Sequence, residues 1–189
     1  MIGICTKCGN HQWDKEVKGD EIHCPKCGNS WKFIRLPLFI LTGCSGIGKT
    51  TTAMEIIRRK AEFTVLDGDM FYNIMPHETE EDYYDQVEQI GSLSKNLMQT
   101  GLPVLWTMAG NLDKLSKTYN SRFFREIYCL ALVCEEELLR ARMRDGRGIK
   151  TPFFRLFITV NPSPAANNSS SFAVVIPIPP NTARQFLPF

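Results

Sequence analysis

Gly43-Cys44-Ser45-Gly46-Ile47-Gly48-Lys49-Thr50 constrains this chain more than any other stretch. It satisfies G-x-x-x-x-G-K-[ST]. The apolar run Leu36, Leu38, Phe39, Ile40, Leu41 precedes it, and a helical pattern follows from Thr51. Glycines let the backbone turn tightly and aim successive N–H groups at phosphate oxygens, and the following helix adds the positive end of its dipole. The expected ligand is a nucleoside triphosphate, ATP, held by Gly43, Ser45, Gly46, Ile47, Gly48, Lys49, Thr50 and Thr51. Lys49 serves the β- and γ-phosphates as a point charge, and Thr50 offers its hydroxyl to Mg²⁺.

The pattern downstream alternates strand and helix. A helix is expected over Thr51 to Glu62, with Ala53, Met54, Ile56, Ile57 and Ala61 as its apolar positions. A second strand, Phe63 to Leu66, runs into Asp67-Gly68-Asp69. Thr79-Glu-Glu-Asp82 then opens a helix with a capping pattern, ending near Gly101. Pro103 to Met108 is a third strand, Leu112 to Phe124 a helix with a lysine-rich side, Tyr128 to Cys134 a fourth strand, and Glu135-Glu136-Glu137 opens another helix. This order predicts a three-layer α/β fold around a parallel sheet.

Ligands of such sheets sit at the carboxyl ends of the strands, which puts Asp67 and Asp69 beside the phosphates. One carboxylate can accept the proton of an attacking hydroxyl while the other orients Mg²⁺ or its waters. Asp-Gly is also a common turn pair. The third strand lacks an acidic terminus, so the metal-side duty falls to Asp67 or Asp69, and the residues leave open which. Arg140 and Arg144 share a helix face, with Arg142 roughly opposite, ahead of Asp145-Gly146-Arg147-Gly148. Arginines before a glycine-flanked segment suit a lid over transferring phosphates. No arginine occurs between Arg59 and Arg122, and Lys95 is the one base in the intervening helix. A phosphorylated acceptor is normally gripped by Arg, so a neutral hydroxyl acceptor is favoured. Phe71, Tyr72, Tyr83 and Tyr84 could stack on an acceptor or simply pack.

Residues 1–35 carry two knuckles, Cys5-Thr-Lys-Cys8 and Cys24-Pro-Lys-Cys27, each followed by glycine. The spacing suits a four-cysteine zinc ribbon, a closed structural Zn²⁺ site, with two redox C-x-x-C pairs or disulfides as the competing reading. A segment this short cannot bury enough apolar surface to fold without metal. A hairpin is expected between Gln12-Trp13-Asp14 and Glu21-Ile22-His23. Six basic residues against four acidic ones, with Trp13, Trp31 and Phe33, leave a weak nucleic-acid face or a protein contact as alternatives. Cys44, Cys129 and Cys134 have no metal-ligand spacing and read as small apolar or loop residues.

A net charge of +2 predicts no general attraction to nucleic acid or membrane. No apolar run reaches membrane-spanning length and the first residues lack a signal-peptide core, so the expected location is cytoplasmic.

TGCSGIGKTT, VLDGDM and YCLALVCEEELLRARMRDGRG, in that order, resemble the small P-loop kinases: nucleoside and nucleotide kinases, gluconate-type kinases and adenylylsulfate kinases. Some similar bacterial proteins are described as AAA-family ATPases. The resemblance covers about residues 36–150. It implies Lys49 and Thr50 as phosphate and magnesium residues, Asp67 and Asp69 as acceptor or metal residues, and Arg144 and Arg147 as lid residues. It further implies an ATP- and Mg²⁺-dependent kinase that phosphorylates a hydroxyl of a small molecule, a nucleoside being one acceptor to consider. The alternatives are a nucleoside monophosphate kinase, or an ATP-hydrolysing regulatory module whose ribbon touches nucleic acid or protein.

Residues 151–189 depart from that pattern. They contain no Asp, Glu or Lys and hold seven of the eleven prolines. Phe172 to Ile176 reads as a strand and the rest as irregular, proline-broken chain. The abrupt change of composition suggests a replaced or frameshifted reading frame that removes the base-binding part.

Overall fold

The computed structural model describes residues 1–60, 62–76, 78–109, 115–133, 136–147 and 174–177. Three short antiparallel strands, β1 (Glu16–Lys18), β2 (Glu21–His23) and β3 (Ser30–Lys32), form the N-terminal sheet. The larger sheet is parallel. It contains β4 (Leu38–Thr42), β5 (Thr64–Asp67), β6 (Val104–Thr107), β7 (Ile127–Val133) and β8 (Val174–Pro177), in the order β5-β6-β4-β7-β8. The strand before the glycine loop is therefore central. Helices α1 (Lys49–Arg58), α2 (Glu80–Leu97) and α3 (Glu136–Arg147) complete the described architecture, a parallel sheet with helices.

Period-two alternation divides the strands between two apolar layers. Leu38, Ile40, Val104, Trp106 and Met108 face Val87 and Ile90 of α2. Leu41, Leu105 and Leu132 pack on the opposite side with Ile47 of the loop, Leu139 and Met143 of α3 and the partly buried Ile56 of α1. α2 begins where its sequence says it should: Thr79 Oγ1 accepts from the Asp82 amide at 3.0 Å, and the Asp82 carboxylate accepts from the Thr79 amide at 2.9 Å.

Several expectations need correction. α1 buries Ala53 but leaves Met54 and Ile57 about half exposed, and Ala61 lies outside the described residues. Within Leu112 to Phe124 the described residues form two 3₁₀ turns, Leu115–Lys117 and Asn120–Phe123, rather than an α-helix. The cause lies in α2. Glu88 is buried and takes the Tyr119 amide, the Asn120 amide (3.1 Å) and the Asn120 side chain (2.7 Å), so side-chain bonds replace helical ones. In the N-terminal segment β2 pairs with Glu16–Lys18, so Trp13 is outside the hairpin. Of the C-terminal segment, β8 is described beside β7, overlapping the expected strand and ending one residue past it. The remainder of residues 151–189, and with it the replaced-frame reading, lies outside the described residues.

The N-terminal sheet docks on α2 and the 3₁₀ turn after it. Ile22, Phe33 and Phe123 form a shared core with Ile2, Val17, Trp31 and Tyr119 at its margin. Trp13 stacks on Tyr119 at 5.7 Å, and the Trp31 indole donates to the Ile2 carbonyl. Trp31 and Phe33 are thus engaged within the chain, while Trp13, stacked on Tyr119, stays 47% exposed. Ile2 N–H donates to Asn96 Oδ1 (3.0 Å) and Lys15 N–H to the Tyr119 hydroxyl (3.0 Å), while Gln99 bridges both backbone groups of Ile34.

Lys95 lies in this interface, only 3% exposed, with Nζ donating to Asn120 Oδ1 at 2.6 Å and lying 4.2 Å over the Phe123 ring. The one base of α2 therefore serves docking rather than an acceptor. Burial pulls its ammonium down to about 8, against the favourable charge of Glu88, with Lys15 and Arg122 adding to the depression. Below that pH the folded state carries a desolvated cation. As pH rises from about 8 towards the ordinary lysine value the unfolded chain binds the extra proton, so this group's contribution to stability increases. The expected result is a rise in melting temperature between pH 8 and 10 in the parent protein relative to Lys95→Met, read by calorimetry of both across that range.

Candidate functional site

The loop between β4 and α1 is built by glycine where glycine is needed. Gly43, Gly46 and Gly48 have φ of 142°, 79° and 110°. A Cβ at Gly43 would lie 2.9 Å from the Leu132 carbonyl, and one at Gly46 would lie 3.0 Å from Met143 Cγ. The loop is thus clamped between β7 and α3. Ile47, 1% exposed, pins it to the apolar layer below. Gly48 caps α1 without a side-chain hydrogen bond, and no acid occupies the first turn. A helix start of this kind suits an anion. Lys49 folds over the loop, donating to the carbonyls of Gly43 (2.8 Å) and Cys44 (3.1 Å). Ser45, Thr50 and Thr51 are exposed at the loop and the helix start. Thr52 turns its hydroxyl back to the Gly48 carbonyl at 3.0 Å.

α3 lies against this loop through Leu139 and Met143. The same packing carries Arg142 to the loop, where Nη1 donates to the Ile47 carbonyl at 3.4 Å and Nε is buried without a hydrogen-bond partner. Arg140 instead pairs with Glu136 one turn back, and Arg144 is exposed. Arg147 ends the helix, and its side chain lies outside the described residues. Among the described lid arginines, the one brought to the glycine loop is therefore Arg142. Its signal was in the sequence. It follows Leu139 by three and precedes Met143 by one, at the edge of the apolar stripe of α3.

Asp67 ends β5 and is half-buried. Its Oδ1 accepts from the Asp69 amide at 3.1 Å and starts the 3₁₀ turn Gly68–Asn73. Gly68 permits that turn, because a Cβ there would lie 2.8 Å from the Thr107 carbonyl. Asp69 is exposed. The strand order separates β5 from β4 by β6, roughly 10 Å in all. In register, Asp67 stands opposite Thr107 and Thr107 opposite Leu41. Leu41 and Val65 belong to the apolar layer that carries the glycine loop and α1, so Asp67 and Thr107 share that face at the carboxyl end of the sheet.

The knuckles form a second constellation. The Sγ atoms of Cys5, Cys8, Cys24 and Cys27 lie within 4.8 Å of one another. Cys5–Cys27 and Cys8–Cys24 are 3.6 and 3.7 Å apart, near the roughly 3.8 Å expected between sulfurs about 2.3 Å from one tetrahedral ion. The halves match: Gly9 and Gly28 both have φ of 70°, and their amides donate to the Cys5 and Cys24 carbonyls. Asn10 donates to Cys24 Sγ and Asn29 to Cys5 Sγ, so each knuckle braces the other. Burial raises the Cys5 thiol, but the amides of Cys8 and Lys7 outweigh it and bring it down to about 6. The Asn29 amide lowers Cys27, yet burial and the other three sulfurs drive it up to about 11. Four thiols gathered this closely favour a shared cation, and the donor set fits Zn²⁺. The Cys129 thiol, by contrast, is pushed up to about 11 by burial alone, as expected of an inert packing residue.

The glycine loop on a central parallel strand, flanked by α1 and α3, is an arrangement that matches P-loop kinase folds. An unliganded sugar kinase from Janibacter sp. has this fold, at 20% identity and a TM-score of 0.53, with 78% of this chain and 88% of that one covered. A gluconokinase from Sinorhizobium meliloti is similar over 63% of this chain and 70% of its own, at 20% identity and a TM-score of 0.47. An APS kinase from Mycobacterium tuberculosis in complex with AMPPNP and APS aligns over 61% and 72%, at 16% identity and a TM-score of 0.41. No protein-family model and no curated protein matches the sequence. Among the described residues no helix is long and apolar enough to cross a membrane.

Proposed function

We propose that this protein is an ATP-dependent kinase that transfers the γ-phosphoryl group to a neutral hydroxyl of a small molecule. The observation that carries the reading is Asp67, held on the same sheet face as the glycine loop and α1. A nucleotide-binding loop alone would bind; a carboxylate on its face at the strand ends allows phosphoryl transfer.

Lys49, now bonded to loop carbonyls, would exchange them for phosphate oxygens, with Gly43, Ser45, Gly46, Ile47, Gly48 and Thr51 supplying the cradle. Mg²⁺, when bound, would neutralise phosphate charge, and Thr50 and Asp67 would hold it. Asp69, exposed two residues beyond Asp67, would orient the acceptor hydroxyl and take its proton. Arg142 would offset transition-state charge from the α3 side, with Arg144 and Arg147 as the further lid arginines. Arg142→Met is expected to lower kcat/KM for ATP roughly 10²-fold, the scale of losing one preorganised donor, and Arg144→Met to lower it less. Steady-state rates at varied ATP compare the two.

The neutral acceptor follows from charge. With Lys95 committed to docking, α2 brings no cation to the acceptor side, whereas a phosphorylated acceptor needs one. The described cysteine cluster would hold a structural Zn²⁺ that keeps the N-terminal sheet folded against α2. A panel of sugars, polyols and nucleosides, with nucleoside monophosphates as the charged set, tests the assignment. Acceptor-dependent ADP release with the neutral panel supports it, and release with monophosphates alone would replace it by a nucleoside monophosphate kinase.

A further inference from the structure

We propose that Thr107 is the magnesium-side positioning residue of the glycine loop, working beside Asp67 in place of the acid that β6 lacks. The inference rests on the nucleotide-binding reading of that loop.

Thr107 ends β6, the strand hydrogen-bonded to β4, and is 1% exposed. Its Oγ1 is buried without a hydrogen-bond partner among the described residues. A threonine hydroxyl can donate once and accept twice, so an orphan in this place costs stability and calls for a cause. Its neighbours supply one. Trp106 points to the other face, where its indole donates to Ser94 Oγ at 2.8 Å. By alternation Thr107 turns to the glycine-loop face, in register with Leu41 two residues before Gly43 and with Asp67 on the far side. The hydroxyl thus stands between the strand that launches the loop and the strand that presents the carboxylate. Asp67 uses Oδ1 for the Asp69 amide, which leaves its other oxygen to accept.

A hydrated divalent cation beside bound phosphates presents water protons that need acceptors and has little use for further positive charge. A carboxylate and a neutral hydroxyl on one sheet face meet that need. Thr107 would hold the hydration shell from the sheet side while Thr50 serves from α1. An apolar residue of the same shape would pack here better than threonine if packing were the only demand.

Thr107→Val, nearly isosteric, separates the two roles in the zinc-loaded full chain. Three quantities are read: the melting temperature without nucleotide, the melting shift given by ADP in EDTA, and the further shift given by ADP as Mg²⁺ is titrated. The expected result is a melting temperature unchanged or raised, an unchanged shift in EDTA, and a Mg²⁺ midpoint moved up about tenfold. Thr107→Ser should restore the parental midpoint. A parental Mg²⁺ midpoint in Thr107→Val overturns the proposal, as does a lowered melting temperature or loss of folding, which would make the hydroxyl structural. None of these readouts needs an acceptor. A failed product screen would therefore end the kinase assignment without touching this one, while loss of the ADP shift in the parent protein would end both.

Discussion

Asp67→Asn is expected to cut kcat by about 10²–10³-fold, the scale of losing one electrostatic stabiliser, while leaving the melting temperature within about 1 °C of the parent. Asparagine keeps an oxygen for the Asp69 amide, so the start of the 3₁₀ turn survives and the loss reports charge rather than fold. Asp69→Asn should also slow turnover, but through the acceptor. Its Mg²⁺ requirement should stay parental, because Asp69 is exposed beyond the turn, whereas Asp67 lies in the row with Thr107 and Leu41. Initial rates over a matrix of Mg²⁺ and acceptor concentrations separate the two. Equal effects of both substitutions on Mg²⁺ dependence would contradict the assignment.

Cys24→Ser, or removal of metal by a chelator, should have the largest effect on stability. Residues 1–35 have a core of three short strands that closes only by sharing Ile22 and Phe33 with Phe123. Without the ion the knuckles lose their cross-braces, Asn10 to Cys24 and Asn29 to Cys5, and the sheet cannot hold its docking face. Loss of that face uncovers Phe123 and leaves Lys95 and Glu88 without their shelter. At about 3 kcal/mol lost, and 2–4 °C per kcal/mol for a chain of this size, the melting temperature should fall by roughly 10 °C. Metal analysis should return one Zn²⁺ per chain in the parent and none in the variant. A melting curve indifferent to chelator would mean that the segment adds nothing to the rest of the molecule.

Much of this was legible in the residues because it depends on short-range chemistry. The glycine loop, the capping box at Thr79 and the two C-x-x-C-G-N knuckles each specify their own geometry within a few residues. The parallel sheet followed from the alternation of elements. What stayed hidden was decided by partners distant in sequence. Glu88 and Asn120 are 32 residues apart, and their bonds turn an expected helix into 3₁₀ turns. Trp13 and Trp31 looked like a binding face because Tyr119 and Ile2 cannot be seen across such separations. Lys95 looked like the lone base of an acceptor helix until Asn120 and the Phe123 ring enclosed it. Arg142 was passed over for Arg144 because spacing within α3 cannot say which stripe meets the loop; Leu139 and Met143 decide that by packing on Ile47. The proposed division of labour between Asp67 and Asp69 rests on the register with Thr107, which is a property of the sheet rather than of the segment.

The central claim is that the glycine loop and the Asp67 row transfer phosphate to a neutral hydroxyl. Phosphorus NMR of the full chain with ATP, Mg²⁺ and pooled neutral acceptors tests it directly. The expected result is a new phosphomonoester signal that grows one for one with ADP and is lost in Asp67→Asn. ADP appearing only with inorganic phosphate, at a rate indifferent to every acceptor, would contradict it.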